Sequence, residues 1–156
     1  MCGLCGLSFV STDELNNAKI FGENLSSSLI HRGPDDEGRY INLNKLNNLF
    51  YHRRLSIIEI SEKGSQPMFS HDGNFILCFN GEIYNHLELR KKLDNEFKIS
   101  WRGNSDTETL IESFSLIGIE KTIDFIEGMY AFSLYDLVSN KLFLGRDLFG
   151  EKPLYY

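Results

Sequence analysis

The sequence predicts an α+β domain built on a largely antiparallel sheet system. Three observations carry this. Short apolar runs of strand character recur between turn residues, a few longer segments space their apolar residues helically, and MYAFSLYDL and KLFLGRD are joined by VSNK, the span of a hairpin. Twelve Phe and seven Tyr in 156 residues fit a β-rich interior, and the length is one domain's worth of chain.

The elements follow in order. GLCGLSFV is an apolar strand. Ser11 and Glu14 stand at capping-box spacing, and Leu15, Ala18, Phe21, Leu25 and Leu29 recur at helical intervals, which predicts a helix over about Thr12 to Ile30. It stops at HRGPDDEG, where Gly33 and Pro34 forbid continuation. GRYINL, NNLFYH, LSIIEI and NFILCFN are strand candidates, with EKGSQPMFSHDG a loop between the last two. NHLELRKKL is helical and EFKISW a strand. Asp106 is placed to cap a second long helix, DTETLIESFSLIG, and a shorter helical piece lies near IEKTIDFI. With no repeat, linker or low-complexity run, residues 1–156 are expected to be one domain. Its apolar and aromatic last segment, LFGEKPLYY, points to further strands or a further domain.

Composition narrows the function. A net charge of −6 without a basic run argues against nucleic acid. No apolar stretch approaches the roughly 20 residues of a membrane span. MCGLCGLSFV meets Ser11, Thr12, Asp13 and Glu14 too soon for a secretory signal, so the cytoplasm is the default location. Three cysteines make no disulfide framework, and His31, His52, His71 and His86 lack metal-ligand spacing with them. Cys78 alternates within NFILCFN as a core residue.

The polar islands HRGPDDEG, HRRLS, FNGEIYNH and GNSDTET each flank an apolar segment, where loops converge at sheet edges. Singly, an Asn-Gly is a turn, a Ser-Asp a cap and an Arg pair a solvated face. The N-terminus asks for more. Cys2 directly behind Met1 is chance, half of a CxxC redox or metal pair with Cys5, or a residue meant to become the first one. The pair lacks the helix start that lowers a redox thiol's pKa, and there is no second CxxC.

Taken together and in order, MCGLCG, HRGPD, HRRLSII, GSQPM, FNGEIYNH, GNSDTE, EGMYAFSLYD and GRDLFGEKPLYY resemble the glutaminase domain of glutamine-dependent asparagine synthetases. These are class II glutamine amidotransferases among the N-terminal-nucleophile hydrolases. The resemblance covers essentially the whole chain. It implies an αββα sandwich of two largely antiparallel sheets, C-terminally incomplete over residues 1–156.

It also implies roles. Removal of Met1 would leave Cys2 as a nucleophile whose own α-amino group, with a reference pKa of about 8, takes the thiol proton. Arg54 would hold the α-carboxylate of L-glutamine and Asp106 its α-ammonium, with Leu55, Ser56, Ile57 and Ile58 lining the pocket. Asn80 and Gly81 would form the oxyanion hole, Glu82 would touch substrate, and Arg32 would organise the corner and its closing loop. The family has a small or apolar residue where Cys5 stands, and Cys5 is expected in the strand, packed near the site.

The resemblance implies a partner as well: a C-terminal or separate ATP-dependent synthetase domain that receives the ammonia. Neither SGGxDS nor GxxxxGK[ST] occurs here, so ATP and Mg are expected only in that domain, and no cofactor or metal in this chain. Aspartate is the family's default acceptor. Another carboxylate, such as a sugar acid of surface polysaccharide, stays open, as do a non-catalytic or regulatory module and the oligomeric state, a homodimer included.

Overall fold

The computed structural model describes residues 1–9, 11–43 and 47–156. Among these residues seven strands form two antiparallel sheets. The first has the order β1 (Gly3–Phe9), β3 (Asn47–Arg54), β2 (Asp36–Asn42); the second runs β4 (Met68–Phe69), β5 (Phe75–Ile83), β6 (Gly128–Asp136), β7 (Lys141–Arg146). The sheets pack face to face through Phe50, Ile76, Cys78 and Tyr135, with Leu4 and Tyr40 against them. Helix α1 (Leu15–Ser28) covers the outer face of the first sheet; α2 (His86–Phe97), α3 (Asp106–Ile117) and α4 (Ile119–Phe125) cover that of the second. This is the expected αββα sandwich.

Strand alternation sorts the side chains. In β5, Leu77 and Phe79 join Leu89, Leu93, Leu110, Ile111 and Phe114 in the helix-side core, while Ile76 and Cys78 face the other sheet. Cys78 is buried as expected. In the first sheet, Tyr51 turns to α1 and its hydroxyl donates to the Lys19 carbonyl.

Several expectations need correction. LSIIEI forms no strand: after Arg54 the chain leaves the sheet, and Ile57 and Ile60 are exposed. EFKISW is not a strand either. Its first residues finish α2, Lys98 caps that helix in the left-handed region, and Trp101 returns to donate to Asp94 (2.7 Å). Ser105 rather than Asp106 caps α3, its hydroxyl accepting the Glu108 N–H, so Asp106 is the first helical residue. Ser11 opens a short 3₁₀ turn, accepting from the Asp13 N–H, and α1 itself starts only at Leu15. Its buried positions are Gly22 and Ser26, and Phe21 is 54% exposed. The loop EKGSQPMFSHDG contains the two-residue strand β4. Val10, the end of GLCGLSFV, lies outside the described residues.

Pairing of β4 with β5 ends at Met68–Leu77. Beyond it the edge groups of β5 find side chains instead. The Phe79 N–H donates to Gln66 Oε1 (2.6 Å), and the Phe79 carbonyl accepts from His52 Nε2 (3.0 Å). His52 is buried, and desolvation pushes its pKa down to about 4.

Two tests of stability follow. A Cβ at Gly22 would lie 2.8 Å from Cζ of the buried Tyr51 ring. Gly22→Ala gains about 1 kcal/mol of helix propensity but overpacks the interface by more, for a net loss of about 1–2 kcal/mol in urea unfolding. A His52 pKa held below its unfolded value means that the unfolded chain binds the extra proton. Stability is then complete above pH 6.5 and falls as pH drops towards 4, by about 3 kcal/mol at most. His52→Gln, which keeps a donor but does not titrate, should flatten that stretch of the pH–stability curve relative to wild type.

Candidate functional site

The β1–β3 register pairs Gly3 with Arg53, and carrying it one step further sets Cys2 opposite Arg54. The pairing of two strands thus joins residues 52 positions apart. Cys2 Sγ accepts from the Leu55 N–H (3.4 Å) and lies 3.7 Å from the Leu55 carbonyl oxygen. Burial is the main influence on this thiol and raises its pKa; the Leu55 contact, the chain's amino terminus and Arg54 pull the other way.

An open cavity of about 90 Å³ adjoins Cys2. Arg54, Leu55, Ile57, Ile58, Asn80, Gly81, Glu82 and Asp106 all line it, so with Cys2 four separate stretches of sequence meet at one place. Arg54 is buried at the end of β3. Its Nη1 donates to the Ser61 carbonyl (2.9 Å), its Nη2 donates to that of Glu59, and Asp36 stands 3.9 Å away. Asp106 is buried too. Its Oδ2 accepts from the Ile83 N–H (3.0 Å) and its Oδ1 from the Thr107 N–H (2.9 Å). Burial raises the Asp106 pKa, an effect those N–H groups and His86 only partly offset.

Asn80 faces the space between the sheets, with a buried carboxamide oxygen that finds no hydrogen-bond partner. Gly81 follows with no room for a side chain: a Cβ would lie 2.7 Å from Tyr130 Cα and closer still to the Met129 carbonyl oxygen. The N–H groups of Phe79 and Ile83 both leave β5 on the side away from β6, to Gln66 and Asp106. Residues two apart in a strand present their amides to the same side, so the Gly81 N–H points to that edge between them, into the cleft.

One expected position differs, and two lie beside the cleft. Ser56 does not line the cleft; its N–H donates to Asp35 Oδ2 (2.8 Å), which pins the HRGPD turn to the chain after Arg54. Arg32 lines an adjoining groove rather than the cleft, and the corner is set by Gly33, where a Cβ would run into the Arg53–Arg54 peptide. Cys5 lies in β1 on the same pleat as Gly3, facing α1, opposite to the Leu4 side that packs against the second sheet. Burial raises its pKa to about 11, and Cys2, Cys5 and Cys78 are all free thiols.

Sequence reasoning missed Glu59, Gln66, Met129 and Lys152, which also line the cleft. Glu59 was hidden by the strand-like alternation of LSIIEI. Lys152 arrives through Asp147, whose carboxylate accepts the N–H groups of Tyr130, Glu151 and Lys152 at 2.8–3.1 Å. Burial opposes ionisation of Asp147, but these donors outweigh it and its pKa is lowered. The Lys152 ammonium then rests 2.8 Å from Met1 Sδ and 3.0 Å from Met129 Sδ. The D-x-x-G-x-K spacing of GRDLFGEKP was the only signal for it.

No helix among the described residues is long and apolar enough to cross a membrane. In structure, the chain is similar to the glutamine phosphoribosylpyrophosphate amidotransferase of B. subtilis, with a TM-score of 0.53 at 20% identity over 78% of this chain and 26% of that one. That likeness concerns the fold. In sequence, it is 34% identical to a putative glutamine-hydrolysing asparagine synthetase 2 of Methanocaldococcus jannaschii, over 100% of this chain and 32% of the relative. It is 36% identical to glutamine-hydrolysing asparagine synthetase 2 of Bacillus subtilis, over 100% of this chain and 20% of the relative. With asparagine synthetase B of Escherichia coli it shares 36% identity over 99% of this chain and 26% of the relative. The chain therefore spans about a fifth to a third of the length of these relatives. The family model for the glutamine amidotransferase domain matches residues 1–156, and the chain belongs to that family.

Proposed function

We propose that this domain hydrolyses the side-chain amide of L-glutamine to glutamate and ammonia, with Cys2 as nucleophile. The observation that carries the proposal is the convergence on one cleft of a thiol, a strand-edge N–H beside an asparagine, a buried guanidinium and a buried carboxylate. The two charges are a pair of sockets for the carboxylate and ammonium of an α-amino acid, with the thiol and the oxyanion donors at the far end for its amide.

With Met1 in place, the nitrogen of Cys2 is a peptide amide that cannot take the thiol proton, and burial raises the thiol pKa. Met1 also lines the cleft. Its removal both opens that space and turns the amide into an amine of pKa about 8, able to take the thiol proton and pass it to the leaving ammonia. The thiolate attacks the amide carbon. The Asn80 side-chain amide and the Gly81 N–H receive the charge that develops on oxygen. The C–N bond breaks, ammonia departs and a glutamyl thioester remains, which water cleaves to glutamate while the thiol is restored. The exposed position of Glu82 in the cleft lining supports a contact with the substrate.

Ammonia made here is useful only where an acceptor is activated. The relatives extend well beyond the matched region, which supports an ATP-dependent synthetase domain as the partner and asparagine synthesis from aspartate as the whole protein's activity. ATP and Mg belong to that domain. Such a protein works in the cytoplasm, where methionine aminopeptidase acts.

Diazo-oxo-norleucine, an electrophilic glutamine analogue, should label Cys2 of the Met1-processed chain. It should label neither the Cys2→Ala variant nor chain that retains Met1, by intact-mass spectrometry. An unlabelled Cys2 in folded, processed protein defeats the proposal. Steady-state glutaminase assays of Asn80→Ala should show kcat down by about 10²–10³ with KM little changed, as for the loss of one oxyanion donor.

A further inference from the structure

The two charge sockets sit on different elements. Arg54 ends β3 in one sheet, and Asp106 opens α3 behind the other. No strand pairing connects them. What joins them is Glu59. Its Oε1 accepts the N–H (3.0 Å) and hydroxyl (2.6 Å) of Ser61, closing a tight turn, and its Oε2 accepts the N–H of Asn104 (3.0 Å), two residues before Asp106. The backbone of the same turn wraps Arg54, whose guanidinium donates to the carbonyls of Glu59 and Ser61. One residue thus grips the guanidinium with its carbonyl and the Asp106 turn with its carboxylate.

Little slack remains. A Cβ at Gly103 would come within 2.8 Å of Glu59 Oε2, and one at Gly64 would strike the Arg54 guanidinium. The far side of the Asp106 turn is held as well, since buried Glu108 accepts the N–H groups of Arg102 (2.7 Å) and Gly103 (2.9 Å). Three consecutive amides, 102 to 104, are therefore held by carboxylates: two by Glu108 in α3, the third by Glu59.

We propose that Glu59 is a positioning residue that fixes the separation of Arg54 and Asp106, and so makes the cleft selective for a head group carrying carboxylate and ammonium on one carbon. The inference rests on the assignment of those two side chains to the charges of glutamine. The Ser61 hydroxyl, followed by the Asn104 and Ser61 N–H groups, holds the Glu59 carboxyl down to about 2. The clasp is thus ionised at every pH at which the enzyme would work.

The test compares glutamine with glutaramate, which keeps the amide and the carboxylate but lacks the α-amino group. In the processed wild-type chain kcat/KM should favour glutamine. In Glu59→Ala that preference should shrink by about tenfold, mainly through the KM for glutamine, because a small misplacement of a binding group costs affinity steeply. Glu59→Gln, which keeps one acceptor oxygen and no second, should fall between. Alkylation of Cys2 by iodoacetamide, which needs neither socket, should proceed at the wild-type rate in both variants. An unchanged preference in a variant whose Cys2 alkylates normally overturns the inference and leaves the glutaminase assignment standing. Failure of both variants to fold assigns Glu59 to stability alone and overturns it too. A wild-type chain that labels with diazo-oxo-norleucine nowhere and cleaves neither amide removes the glutaminase assignment, and the inference falls with it.

Discussion

The site depends on a sheet that stops early. Strand β4 pairs with β5 at only two positions, Met68–Leu77 and Phe69–Ile76, while β5 runs on to Ile83. The edge groups of residues 79, 81 and 83 are then left without a strand partner in a partly buried place, where an unmet backbone donor is costly. Gln66 and His52 satisfy Phe79, and Asp106 satisfies Ile83. Gly81, between them, keeps its N–H for the cleft. An edge left open here faces the cleft without becoming a liability, because loops and side chains flank it closely enough to exclude another strand. The same reasoning explains the glycine: β6 approaches so closely that any side chain at position 81 would meet the Met129 carbonyl.

The two buried charges obey a related logic. A desolvated ion costs several kcal/mol unless it is paired or hydrogen-bonded. Arg54 offsets part of this with two carbonyls and distant Asp36, and Asp106 with two N–H groups. Each is held well enough to persist and incompletely enough to gain from a ligand of opposite charge. Burial raises the Asp106 pKa despite those donors, and a ligand ammonium beside it would push the value back down.

Much of the fold was legible because amphipathic period and turn chemistry agreed. The hairpin of β6 and β7, the start of β3 at Asn47 and the extent of α3 all lie where the apolar pattern put them. The failures share a cause: local pattern was overridden by contacts distant in sequence. LSIIEI alternates like a strand, yet Arg54 draws its backbone into a loop, and Ile57 and Ile58 wall a cleft instead of a core. On α1 the packed stripe contains Gly22 and Ser26, since the Tyr51 ring needs the space, and hydrophobic spacing cannot register a glycine as buried. The site residues were legible only as an ordered set of motifs; taken one at a time, Arg54 looks solvated and Asp106 looks like a cap. Glu59 and Lys152 escaped altogether, because each earns its place through a turn whose hydrogen bonds no periodicity reports.

A site residue near the front of a chain faces a mechanical difficulty, since termini fray and a side chain in a cleft must be held to a fraction of an ångström. Strand β1 resolves it. Seven consecutive pairs with the fully enclosed strand β3 fix its register, and Leu4 locks that register by packing between the sheets with Phe50, Ile76 and Cys78. A slip by one residue would send Leu4 to the α1 side and carry the Cys2 side chain away from Asn80 with it. Gly3 makes the last step possible: facing α1, it has the Leu29 and Arg32 side chains within 3.0–3.3 Å of where a Cβ would lie, so the chain hugs the helix before Cys2 turns to the cleft. The position of the Cys2 sulfur is therefore set by a hydrophobic contact two residues away, and a residue so early in the sequence becomes as well placed as any in the core.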